Sequence, residues 1–178
     1  LDELKGKKEI FSLTGGEIIR FGSPGRRPKI EKARAASGPD GEELVVTTCK
    51  SAAHPLNGVM LYRVHYQNKR FVYATDIEQQ EGGIPEVIEF ARGADLLIHD
   101  AQYLPEEYFS RTKARKGWGH STIDMAVDVA RKAEVKRLVL FHHEPTHDDK
   151  TMNEIEKQTK ALFHSAVVAR EGMEISLL

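Results

Sequence analysis

Short apolar runs and helix-spaced polar segments alternate along most of this 178-residue chain. Residues 9–21 alternate loosely around Gly15-Gly16, which predicts a β-hairpin. Residues 22–42 (GSPGRRPKIEKARAASGPDGE) are dense in Gly, Pro and charge and predict a surface loop. The β-branched stretch 43–49 predicts a strand. Residues 59–66 and 70–75 flank the turn Gln67-Asn68-Lys69 and predict a second hairpin. After residue 83 strands and helices alternate. Pro85 opens a helix to about residue 92, and 95–99 reads as a short buried strand. Ser121, with Asp124 three residues on, caps a helix whose Ile123, Val127 and Ala130 share a face. Residues 136–141 form another strand. Thr151 and Glu154 open a helix to about residue 170, with Ile155, Leu162, Phe163 and Val167 inward. Residues 174–178 close as a strand. The apolar runs at 96–98 and 138–140 predict central strands in a sheet covered on both faces. The expected architecture is one layered α/β domain over residues 1–178.

Composition narrows the function classes. A formal net charge of −1 excludes a globally basic nucleic-acid binder. The cations Arg20, Arg26, Arg27, Lys29, Lys32 and Arg34 are expected to sit on a solvated loop, with phosphate binding as the alternative. Cys49 is the only cysteine, so no internal disulfide can form and a reducing, cytoplasmic setting is expected. No apolar run approaches membrane-spanning length. The chain opens at Leu1 rather than Met, and a preceding segment is therefore expected.

The candidate chemistry lies where predicted strands end. His54 precedes Pro55, Asp76 ends RFVYATD, His99-Asp100 ends DLLIHD, and His142-His143 ends KRLVLFHH, while His120 stands in GWGHST before a capped helix. Strand ends of an α/β sheet converge on one edge, the usual place for a site. Imidazole and carboxylate together suit zinc or manganese, with iron a third option. Taken singly, each residue has a plain alternative: His65 and His164 read as polar residues satisfying loops, and Asp76 alone would read as a turn former. Four successive strand ends bearing His or Asp favour the metal reading.

The segment order then resembles the metallo-β-lactamase superfamily, in particular its phosphodiesterase branch that includes ribonuclease Z. HPLNGVMLYRVHYQNKRFVYATD is similar to that family's third and fourth motifs, IHDAQY followed by GHST to its strand-end His-Glu and His-Ser-Thr motifs, and LVLFHHEP to its last motif. The resemblance implies the C-terminal part of a metallo-β-lactamase-like αββα sandwich and a hydrolase cleaving phosphodiesters through a metal-activated water. Two divalent ions are implied. His54 and His142 would each hold one, Asp76 would bridge both and take part in catalysis, and His120 would face the scissile phosphate as the second catalytic group. His99, Asp100 and His143 would stand behind these residues and orient them. His142 is preferred to His143 because it aligns with the family ligand. The substrate would be a small-molecule or nucleic-acid phosphodiester, with Trp118 available to stack a base.

The chain also departs from the family. The His-x-His-x-Asp-His signature is absent from all 178 residues, which leaves each ion two protein ligands where a catalytic zinc usually has three. Asp100 stands where ribonuclease Z has Glu, and the long transfer-RNA-gripping arm is not visible. The competing expectation is a non-catalytic half-fold that pairs with a missing N-terminal half or forms a homodimer.

Overall fold

The structure is a computed structural model and describes residues 13, 15–21, 28–32 and 43–177. Among the described residues, eight strands form one sheet in the order β2-β1-β3-β4-β5-β6-β7-β8. They are β1 Glu17–Phe21, β2 Lys29–Lys32, β3 Leu44–Ser51, β4 Val59–Tyr66, β5 Lys69–Ala74, β6 Leu96–Asp100, β7 Leu138–Phe141 and β8 Ala166–Val168. The helices are α1 Pro85–Ala91, α2 Pro105–Tyr108, α3 Ile123–Lys132 and α4 Asp149–Leu162. Strands β1 to β5 pair antiparallel; β5 to β8 pair parallel. That switch follows from the connections. Two residues, Gln67 and Asn68, join β4 to β5, both in the left-handed conformation that a tight hairpin requires. Helix-containing segments join each later pair, as parallel neighbours need.

One face of the sheet carries the helices. Paired positions share a face, so the row Thr47–Arg63–Val72–Leu97–Leu138–Ala166 lies under them. Leu61, Val72, Leu97, Leu138 and Leu140 are fully buried against Val87 and Ala91 of α1, Ala126, Val129 and Ala130 of α3, and Ile155 of α4. Ile123, Val127 and Ala130 share this inward face of α3, as their spacing predicts. The opposite row contains Tyr62, Tyr73 and Ile98, flanked by Val46, Val64 and Phe71, all only partly buried. The described residues thus form a sheet with one helix layer and an apolar second face, half of the expected sandwich.

Several local expectations are corrected. The expected loop at 22–42 contains strand β2, fully exposed and paired to β1. Its alternating KIEK needs no apolar face, because an edge strand gains its backbone bonds from one neighbour, and charge is usual there. The rest of that stretch, and the first arm of the hairpin expected at 9–21, lie outside the described residues; β1 pairs instead with β2 and β3. Thr122, not Ser121, caps α3, accepting from Met125 N at 3.2 Å. Asp148, not Thr151, caps α4, its Oδ1 accepting from Thr151 N at 2.8 Å. That helix ends at Leu162, which is exposed, and residues 166–168 join the sheet as β8 beside β7. No strand forms at 173–177. Among the described residues no helix is long and apolar enough to cross a membrane.

His99 is a polar group wholly inside this core. Its Nδ1 donates to its neighbour's carbonyl, Asp100 O, at 2.7 Å, and its Nε2 accepts from Gln79 Nε2 at 3.1 Å. Both bonds suit the neutral ring, and burial holds its proton affinity below the usual histidine value.

Two outcomes are expected. Leu140→Ala, a cavity in a central strand, should lower stability by about 2–5 kcal/mol in urea denaturation, while Phe141→Ala, on the exposed face of the same strand, should cost far less. His99 ionises more readily in the unfolded chain than in the folded one. Its neutral-state contribution is therefore complete above the unfolded pKa of about 6.5 and is lost as pH falls below it, by up to about 1.4 kcal/mol per pH unit. His99→Gln should flatten the fall in urea midpoint between about pH 7.5 and 5.5 relative to wild type; equal slopes would contradict a neutral buried His99.

Candidate metal centre

Strands β5, β6 and β7 run parallel as immediate neighbours, so their C-terminal ends open on one edge of the sheet. Two antiparallel steps separate β3 from β5, so β3 ends on that edge as well. Just past these ends the chain places His54 after β3, Asp76 after β5, Asp100 as the last residue of β6, and His142 after β7. Ligand atoms of His54, Asp76 and His120 all lie within 4.8 Å of one another. His142 Nε2 stands 3.7 Å from Asp76 Oδ1, and its ring stacks on that of His120 with centroids 4.6 Å apart. Four segments spanning positions 54 to 142 therefore converge.

Backbone conformation helps to aim two of these side chains. Asp76 and His142 are both left-handed, with φ of 54° and 60°. Asp and His tolerate this region better than most residues, but it remains costly and is sustained only where the surroundings enforce it. In each case the turn falls one or two residues past a strand.

His120 is oriented from behind. Its Nδ1 bonds to Asp100 Oδ2 at 2.8 Å, and Asp100 is fully buried. Asp100 Oδ1 accepts from Ser121 N at 2.9 Å and Gln102 N at 3.3 Å. Asp100, His120 and His142 also lie close enough to be considered as a ligand set. Both Asp100 oxygens are already engaged, however, and a cation there would have to displace these bonds. The carboxylate is better described as the partner of His120, leaving Nε2 of that ring free to face the site. Burial works against the charged form of His120, but the Asp100 bond and charge, helped by Asp76 and Glu78, more than offset it and raise its proton affinity.

The other expected residues separate. His99 contacts neither His120 nor a candidate ligand by hydrogen bond; it holds Gln79, whose Oε1 in turn accepts from Ile84 N at 2.9 Å. His143 makes no hydrogen bond to the other candidate residues, and burial lowers its proton affinity. His164 is exposed and His65 lies on β4, away from the cluster.

Sequence reasoning missed three residues here. Ser121, expected as a helix cap, donates through Oγ to Ile77 O at 2.5 Å and accepts from Gln79 N at 3.0 Å, stitching the Asp76 loop to the His120 loop. Glu78 and Tyr108 meet the glycine loop before His120. Their partners lie about 30 to 40 residues away in sequence, and no local pattern announces them. Gly119 has a backbone role that spacing could suggest: its φ is 94°, and a Cβ there would stand 2.5 Å from His54 Cδ2 and 2.6 Å from Pro55 Cδ. The loop can thus pass directly over the His54 ring. Beside it lies a cavity of about 630 Å³ lined by His54, Glu78, Tyr108, Phe109 and Lys116.

The donor set of two imidazoles and a carboxylate, with a third imidazole adjacent, suits a borderline divalent cation such as zinc. Shared between two ions, these residues fall short of three ligands apiece, so they fit part of such a centre and leave positions for donors from elsewhere.

Comparison with known proteins identifies the domain and the fold. Residues 14–143 match the Beta-lactamase superfamily domain. The chain is 31% identical over 109 residues to ribonuclease Z of Parabacteroides distasonis, covering 61% of this chain and 33% of that protein. It is 35% identical over 109 residues to ribonuclease Z of Prochlorococcus marinus (strain NATL1A), covering 60% and 32% respectively. It thus corresponds to about a third of the length of these curated relatives. Among solved structures it resembles the metallo-β-lactamase fold protein YhfI of Bacillus subtilis, with a TM-score of 0.56 at 22% identity over 78% of this chain and 50% of that one. It also resembles the short form of human tRNase Z, with a TM-score of 0.53 at 22% identity over 78% and 45%. A third is the Zn²⁺-bound PqqB of Methylobacterium extorquens, with a TM-score of 0.57 at 17% identity over 75% and 50%. At these identities the structural likenesses establish the fold alone. The domain match covers well over half of the sequence, and the chain belongs to the beta-lactamase superfamily domain family, with the metallo-β-lactamase fold.

Proposed function

We propose that this chain is the C-terminal part of a metal-dependent hydrolase that cleaves phosphodiesters. The observation that carries this reading is the convergence of His54, Asp76, His120 and His142 at one sheet edge, with His120 backed by buried Asp100. The ribonuclease Z similarities favour a phosphodiester over other ester classes. His54 and His142 would each ligate one of two divalent ions, zinc or manganese, with Asp76 reaching both. When bound, such ions acidify water and offset charge on phosphoryl oxygens.

The chain's own contribution is positioning and proton handling. Asp100 fixes the ring of His120 and, through Nδ1, directs Nε2 into the site. There Nε2 can donate to a phosphate oxygen or to the departing alkoxide, the step in which a positioned acid accelerates reaction. Trp118, exposed two residues before His120, is placed to stack a base flanking the scissile bond. The remaining ligands would come from a segment carrying His-x-His-x-Asp-His.

A second reading, an interaction module without activity, is favoured by the partly exposed apolar face of β3 to β6. Such a face calls for a covering layer, from a missing half or a second copy. Light scattering separates the two sources: a dimer of this chain supports a second copy, a monomer that binds the preceding segment supports the missing half, and a stable monomer that binds neither removes this reading.

The intact gene product should bind about two equivalents of Zn²⁺ or Mn²⁺ and hydrolyse bis(p-nitrophenyl) phosphate; absence of metal-dependent turnover of every phosphodiester tested would end the proposal. Asp76→Asn should lower the bound metal measured by elemental analysis. His120→Ala should retain that metal while kcat falls roughly 10²- to 10⁴-fold; loss of metal in His120→Ala would make His120 a ligand instead. Trp118→Ala should raise KM for oligonucleotides and leave turnover of the small phosphodiester unchanged.

A further inference from the structure

Glu78 lies two residues past Asp76, and its carboxylate gathers three donors from a distant part of the chain. Its Oε1 accepts from the Tyr108 hydroxyl at 2.5 Å and from Gly117 N at 2.6 Å, and its Oε2 accepts from Gly119 N at 2.8 Å. Its own backbone N donates to Ala53 O at 2.7 Å. One residue is thereby bound to the segment carrying His54, to the loop carrying His120 and, through the single intervening residue Ile77, to Asp76. Two glycines give the loop it grips little rigidity of its own. Gly117 and Gly119 are both left-handed, and a Cβ on Gly117 would meet nothing within 4 Å. Trp118 between them is more than half exposed, resting on Arg115 with the guanidinium 4.6 Å from its ring and its N bonded to Arg115 O at 3.1 Å.

From this geometry we infer that Glu78 is a positioning residue, a carboxylate clamp that fixes the Gly117–Gly119 loop over His54 and thereby sets where His120 meets the candidate metal centre. The assignment of a catalytic task to His120 rests on the hydrolase reading above; the clamp itself does not. An ionised carboxylate suits the task because it offers only acceptors, while all three partners are donors. A carboxamide presents one oxygen and one amino group. Whichever way it turns, the backbone N of either Gly119 or Gly117 faces a donor and is left unpaired, while the Tyr108 hydroxyl can rotate to accept. Burial, then the Glu78 bond and charge, raise the Tyr108 hydroxyl above the usual tyrosine value and keep it a donor.

The sole tryptophan of this chain is Trp118, so its fluorescence reports on the clamped loop directly. Glu78→Gln should raise the acrylamide quenching constant and lower the anisotropy of Trp118, with the far-UV melting curve little changed. Glu78→Asp, which keeps both acceptors, should restore part of the difference, and Glu81→Gln on the same segment should behave as wild type. Where the intact protein turns over bis(p-nitrophenyl) phosphate, Glu78→Gln should lower kcat by roughly 10²-fold, the cost of a ~1 Å misplacement, with KM little altered. Unchanged quenching in Glu78→Gln overturns the clamp whatever the kinetics show. A loosened loop beside a wild type that hydrolyses no phosphodiester upholds the clamp and removes the hydrolase reading. If Glu78→Gln does not fold, Tyr108→Phe withdraws a single donor and gives the same comparison: increased quenching supports the clamp, and wild-type quenching overturns it.

Discussion

Parallel pairing of β5, β6 and β7 is the constraint from which the site follows. Parallel neighbours must be joined by crossovers that return the chain to the same starting edge, so every strand releases its next residues on the other edge. Asp76, Asp100 and His142 are those residues. Had the three strands formed a meander, β6 would end on the opposite edge, and Asp100 could not stand 2.8 Å from His120. The buried layer of Val72, Leu97, Leu138 and Leu140 under α1 and α3 supports this arrangement by holding the three strands in register.

Above that scaffold, loops are fastened to one another by polar side chains. Ser121 ties the 77–79 segment to the start of α3, Glu78 ties it to the 117–119 segment, and His99 with Gln79 holds it from below. The buried Asp100 carboxylate joins the end of β6 to His120 and Ser121. The Ser121, His99 and Asp100–Ser121 bonds are buried, so each is worth more than at the surface and leaving one unmade is correspondingly costly, whereas the Glu78 bonds lie closer to solvent. The residues expected to support the site thus divide unequally: Asp100 bonds to His120, His99 bonds to Gln79 of the loop, and His143 makes no hydrogen bond to the candidate centre.

The parts legible in the sequence were those governed by local repetition. A β-branched run marked β3, the turn between two runs marked β4 and β5, continuous apolar runs marked β6 and β7, and the 3.6-residue period marked α3, whose inward face matched. Strand-end His and Asp residues were visible for the same reason. What escaped was decided by competition between neighbours. Residues 163–170 continue the apolar spacing of α4, yet an open edge beside β7 offers 166–168 a ladder of backbone bonds that the helix cannot. KIEK carries no apolar signature because an edge strand does not need one. Ser121 is a good capping type, but the buried Ile77 carbonyl claims its hydroxyl and Thr122 caps instead. Glu78 was invisible because its partners are set by the fold and not by spacing.

On the proposed reading, the left-handed backbone at Asp76 and His142 would impose a double requirement on each position: the residue would have both to tolerate an unusual torsion and to present a donor atom. Few of the twenty amino acids meet both demands. Alanine at either place would remove a functional group and strain the main chain together, so its effect could not be apportioned. Asparagine tolerates the torsion well, and at position 76 it isolates the chemistry; glycine relieves the torsion and deletes the group, bounding the backbone share. Mutational tolerance along this rim should therefore be narrow for conformational as well as chemical reasons.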